Sequence, residues 1–103
     1  MNAIADVCRR IGADFRADRV ILFGSHAEGR AAPDSDVDLL VIMPTDRDPV
    51  DESVAIRMAI RPPFPVDLLV RTPEKIRQRL SIGDPFIREI LEHGKQLYEA
   101  ADR

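Results

Sequence analysis

Ile4, Val7, Cys8, Ile11 and Phe15 recur at spacings of three and four, which places them on one face of an amphipathic helix over residues 3 to 16. Cys8 shares that face and is expected in the core. The period then shortens. Arg19 to Gly24, RVILFG, is apolar, β-branched and closed by glycine, the pattern of a buried strand. The small residues of SHAEGRAAP suit a short helix or turn that breaks at Gly29 and Pro33. A second strand is predicted from Asp36 to Met43 and a third, VDLLVR, from Val66 to Arg71.

The intervening segments read as helices and loops. PTDRDP is a loop and Val50 to Ile60 a helix, stopped by RPPFP because proline removes a donor and disfavours helix in the residue before it. Thr72 is placed as an N-cap with Pro73 at the first helical position, opening a helix to Leu80. Asp84 and Pro85 repeat that signal for a last helix, in which Ile87, Ile90 and Leu91 share a face and Gly94 stands at the C-cap. KQLYE is a candidate closing strand. Helices between apolar strands predict one α/β domain over residues 1–103, with a sheet covered on at least one face. There is no internal repeat and no low-complexity segment.

Composition narrows the function. A chain of 103 residues fits one domain and leaves no room for a separate substrate-binding domain. It is 45% hydrophobic and 32% charged, with net charge -3, and no apolar run approaches the ~20 residues of a membrane span. A single cysteine forms no internal disulfide, and the first residues carry acids and arginines instead of a signal peptide's apolar segment, so the cytoplasm is the expected location. The acidic balance, with arginines interleaved among Asp and Glu as in IREILEHGK, argues against direct nucleic-acid binding.

The unusual feature is a set of acids in strands. Asp36 and Asp38, two apart, project to the same side while Val37 and Leu39 point the other way. Asp67 has a similar setting in PVDLLV and joins them if its strand is the neighbour. Two carboxylates about 4 Å apart repel by about 4 kcal/mol at an effective dielectric of about 20. Convergence therefore implies a cation or a shared proton, and hard oxygen ligands suit Mg²⁺, which is held by one or two protein carboxylates plus phosphates and water. Taken singly, each acid is better explained as a solvated surface residue. The preceding Gly24–Ser25 turn changes the weighting, because a strand-to-helix turn offers backbone N–H groups and a hydroxyl to a phosphate.

The run GSHAEGRAAPDSDVDLLV, with VDLLV downstream, resembles the nucleotidyltransferase signature of the DNA polymerase beta superfamily, and the short length and the tail FIREILEHGKQLYE resemble its minimal members, the MNT-domain proteins. The resemblance spans nearly the whole chain. It implies the nucleotidyltransferase fold, an α/β domain with a small mixed sheet and helices packed mainly on one face. It implies that Gly24 and Ser25 contact the nucleotide's phosphates. Asp36 and Asp38 match the metal-bridging pair, and Asp67 the third carboxylate, which assists deprotonation of the acceptor hydroxyl. Two Mg²⁺ ions held by these three acids, with ATP as substrate, follow from the same correspondence. So does a partner, since such proteins commonly serve as antitoxins to HEPN-domain toxins and can transfer AMP to a toxin tyrosine. Relatives often read GSRARG where this chain has GSHAEG. Glu28 repels phosphate unless it points away or pairs with Arg30, and Arg30 is the candidate for the missing positive charge. His26 is left outside the catalytic set, as a lone loop histidine is more often merely exposed.

A different class of function is also compatible with the sequence: an interaction module that blocks its partner by binding alone, on a nucleotidyltransferase scaffold. Phe64 and Phe86 are candidates for its exposed apolar contacts or, equally, for core positions. Transfer to a small molecule or an RNA end is disfavoured by the absence of an acceptor domain or a basic channel.

Overall fold

The computed structural model describes residues 3–101; the first two and last two residues of the expected domain lie outside the described residues. Four strands, β1 (Arg19–Phe23), β2 (Val37–Ile42), β3 (Val66–Arg71) and β4 (Lys95–Glu99), form one sheet in the order β3-β2-β1-β4. β1 runs antiparallel to β2 and β4, whereas β2 and β3 are parallel. The sheet is therefore mixed, and the parallel pair requires a crossover, which is α3 (Pro49–Ile60). The remaining helices are α1 (Ala3–Phe15), α2 (Ser25–Glu28), α4 (Pro73–Ser81) and α5 (Pro85–His93). No helix among the described residues is long and apolar enough to cross a membrane.

Alternation along the strands divides the core in two. Val20, Leu22, Val37, Leu39, Val41, Val66, Leu68 and Val70 face α1 and α3, which contribute Val7, Cys8, Ile11, Ile56 and Ile60 to the larger cluster. Phe64 packs against it. The opposite face carries Ile21, Leu40 and Ile42 beneath Ile76 of α4 and Ile87 and Ile90 of α5. This smaller cluster lies on the side toward which Asp38 and Asp67 point. Cys8 is fully enclosed, and burial pushes its thiol up to about 12, so it remains protonated and unreactive at neutral pH.

The helix limits follow local chemistry. Thr72 Oγ1 accepts from Lys75 N–H at 3.1 Å, and Asp84 accepts from the N–H groups of Phe86 at 2.9 Å and Ile87 at 3.3 Å, as the cap residues predict. Asp48 caps α3 in the same way, accepting from Val50 N–H at 2.8 Å ahead of Pro49. α3 ends at Arg61, a non-glycine residue in left-handed conformation at φ 51°, just before Pro62. Gly94 is the C-cap of α5, but its φ of -71° is not left-handed. Glycine is required there for space: a β-carbon would stand 2.5 Å from the Ile90 carbonyl oxygen and 2.6 Å from Ile21 Cγ2, where α5 turns onto β4.

Candidate active site

Asp38 in β2 and Asp67 in β3 are direct partners across the parallel pairing. Asp36 precedes β2 by one residue and shares Asp38's side of the chain. On the other flank Phe23, the last residue of β1, is the antiparallel partner of Asp38, which sets the following Gly24 beside the same carboxylate. Gly24 has φ 75°, a conformation strained for any L side chain, and an added β-carbon would collide with Asp38 Oδ2. The turn is thus glycine for two reasons, one conformational and one that lets the main chain approach the acid.

Burial pushes the Asp38 carboxyl above the usual carboxylate range, and the negative charges of Asp67 and Asp36 push it further, while His26 acts in the opposite sense. Asp38 is half-buried; Asp36 and Asp67 are exposed. The mutual repulsion is the electrostatic sign of a convergent acid site. Among the described residues no three carboxylate, imidazole or thiolate groups form a ready-made metal cage. The residues present nonetheless fit Mg²⁺, because that ion uses one or two protein carboxylates and takes its remaining oxygens from phosphates and water.

Gly24 supplies no side-chain cap to α2, so the turn keeps its leading N–H groups uncapped beside the Ser25 hydroxyl. Arg30 donates through Nε at 2.9 Å and Nη2 at 2.8 Å to Glu28 Oε1, an exposed pair that neutralises the anomalous acid and engages the arginine expected to meet phosphate. His26 is half-buried, its Nε2 3.1 Å from the Ser35 carbonyl oxygen, and so ties the Gly24–Ser25 turn to the loop that presents Asp36. No side-chain pattern could reveal that contact, because the partner is a backbone carbonyl. Beside Gly24 lies a cavity of about 260 Å³ bounded by Phe23, Ala27, Phe86 and Ile90. Phe23 and Phe86 meet edge to face, centroids 5.8 Å apart at 83°.

The nucleotidyltransferase domain family matches residues 1–98. Putative protein adenylyltransferase MJ0604 of Methanocaldococcus jannaschii is 29% identical over 83 residues, which cover 81% of this chain and 80% of the relative. MJ0141 of the same organism, which carries the same description, is 34% identical over 85 residues, covering 80% of each chain. In solved structures the fold recurs in a toxin-antitoxin with AMP-PNP, at TM-score 0.61 and 20% identity over 97% of this chain and 75% of the other.

Proposed function

The chain belongs to the nucleotidyltransferase domain family, and from that membership we propose that it transfers AMP from ATP to a tyrosine of a HEPN-domain partner toxin, acting as the antitoxin. The observation that carries the proposal is the pairing of Asp38 with Asp67 directly beside the Gly24–Ser25 turn. The adenylyltransferase descriptions of the curated relatives and the toxin-antitoxin relative with AMP-PNP support the substrate and the partner.

Asp36 and Asp38 would hold Mg²⁺, with Asp67 at a second ion. When bound, the metal supplies charge neutralisation of the triphosphate and acidifies the acceptor hydroxyl. The protein's own groups orient the reactants. Main-chain N–H groups at Gly24–Ser25 and the Ser25 hydroxyl hold phosphate oxygens, and the open side of Asp67 receives the acceptor. The tyrosine oxygen forms the new bond to the α-phosphorus as the bond to pyrophosphate breaks, and the phenolic proton passes to Asp67. A phenol, with a pKa of about 10, gives up that proton more readily than an aliphatic alcohol. The rigid strands keep the carboxylates in place before substrate arrives.

One feature favours a second reading. Arg30 is engaged by Glu28, which removes a positive charge from the phosphate turn and suits an antitoxin that acts by binding alone. Intact mass spectrometry separates the two. A HEPN-domain partner incubated with this chain, ATP and Mg²⁺ is expected to gain one or more AMP units, lost with Asp36→Asn and Asp38→Asn. A stable complex with no mass gain would replace transfer with blockade.

A further inference from the structure

α3 is apolar on two opposite sides. Ile56 and Ile60, with the buried Glu52, face the sheet at four-residue spacing. Val50, Val54 and Met58 repeat that spacing two residues out of step, about 200° away around the helix, and face solvent. They are 68%, 49% and 71% exposed. A surface helix needs one apolar stripe to dock on its own core; a second, contiguous one marks a contact with another molecule.

The stripe runs into a groove. Val50 also lines a cavity of about 610 Å³ shared with Arg47, Arg71, Lys75, Arg79 and Phe86, the last 54% exposed. Two of its cations are already matched. Arg47 lies 3.8 Å from Glu52, whose carboxylate also accepts from Thr45 Oγ1 at 2.6 Å, and Arg79 lies 2.8 Å from Asp84. Asp48 is occupied as the α3 cap. Arg71, which donates to the Val70 carbonyl, and Lys75 have no ion-pair partner among the described residues. Two uncompensated cations beside an apolar stripe, on a chain of net charge -3, favour an occupant of opposite charge with an apolar face.

We propose that the α3 stripe and this groove form one docking surface for an acidic amphipathic helix of a protein partner. Its apolar residues would cover Val50, Val54 and Met58, and its carboxylates would meet Arg71 and Lys75. A second copy of this chain is the rival occupant, and it would set this same patch, cations included, against itself instead of against an acidic surface. Nucleic acid fits poorly, because Asp46, Asp51 and Glu74 interrupt the basic positions that a phosphate backbone would need. Phe86 lines both this groove and the cavity beside Gly24, so a partner seated here would border that cavity as well. The inference deepens the transferase reading and rests on it only in taking the acceptor to be a protein.

The test is binding, independent of catalysis. The probe is a fluorescein-labelled synthetic helix of about four turns, with leucine at three- and four-residue spacing and glutamate between. Its controls are the same peptide with glutamine for glutamate, a short single-stranded RNA, and sedimentation of the protein alone. The glutamate peptide is expected to bind, more weakly at high salt, and to lose about tenfold in affinity with either Val54→Asp or Lys75→Glu. Both positions are exposed, and a glutamate in the first turn of α4 favours that helix, so circular dichroism should be unchanged. Equal binding of the glutamine peptide, displacement by RNA, or self-association abolished by Val54→Asp would each overturn the proposal. Asp38→Asn should leave peptide binding intact. Binding without any AMP transfer to the partner would therefore count against the transferase reading while leaving the docking surface standing.

Discussion

Asp38 carries an electrostatic cost when ionised, because burial and the neighbouring charges of Asp67 and Asp36 oppose its negative charge. Its pKa is raised in the fold, so its contribution to stability is present below the ordinary carboxylate value and is lost as pH rises through the raised one. Asp38→Asn should therefore stabilise the metal-free protein at neutral pH, and the gain should vanish as pH falls toward the ordinary carboxylate range, about pH 4. Thermal melts across that range check the sign, and the same variant should lose AMP transfer by two or more orders of magnitude. Asp84 behaves oppositely. The Arg79 hydrogen bond holds its carboxyl below the usual range, so its contribution is present above the ordinary value and is lost as pH falls through the lowered one. At Gly24, alanine combines a strained φ with a collision against Asp38 Oδ2, and Gly24→Ala should cost about 2 kcal/mol in a denaturant titration and reduce transfer through the displaced acid. The three acids and the Gly-Ser turn could be read from sequence because strand periodicity and a short motif fix their side and spacing. The engagement of Arg30 by Glu28 was visible only as one option, and the His26 contact not at all, because rotamers and backbone carbonyls decide them.

Among the elements, strands and helix starts were the most legible. β3 over Val66–Arg71 and the Thr72 and Asp84 caps stand where the residues predict, since a capping side chain and a proline act on their immediate neighbours. Helix ends were less so. Nothing local announces that Gly94 is needed for packing room and not for a left-handed turn, because the nearby Ile90 carbonyl is joined there by Ile21 and Leu22, far away in the chain. The two-sided character of α3 is hidden in the sequence as well, because only the packing shows which of its apolar residues face the sheet and which face solvent. α3 offers an element-level prediction. Arg61 closes it at φ 51°, where glycine carries no side-chain penalty, so Arg61→Gly should raise stability by about 0.5–1 kcal/mol, read as a higher urea midpoint at unchanged slope.

For the whole molecule, charge and topology act together. Net charge -3 is spread over helices that pair their own acids and bases, such as Arg9 with Asp6 at 2.6 Å and Arg88 with Glu92 at 3.7 Å, so these exposed pairs contribute little to stability. Stability rests instead on the two apolar layers, and a ligand that binds only the folded form adds to it by mass action. Mg²⁺ with a non-hydrolysable ATP analogue should therefore raise the melting temperature of the wild-type chain and leave Asp38→Asn unmoved, a comparison that reports the site without needing the partner.

The parallel pairing of β2 with β3 also bears on time. β1 and β2 meet antiparallel across a short stretch of chain, but Asp38 and Asp67 face each other only after the intervening crossover helix has formed and closed a longer loop, one exceeded within the sheet by the pairing of β1 with β4. Contacts of that kind, repulsive as well as distant, form late on the route to the native state. A cation held by these acids would then be absent from the folding transition state, and would stabilise by slowing escape from the native basin. In stopped-flow experiments Mg²⁺ with nucleotide should lower the unfolding rate and leave the refolding rate unchanged. Until the second acid strand docks, Asp38 has no partner in Asp67 and the acid site does not exist.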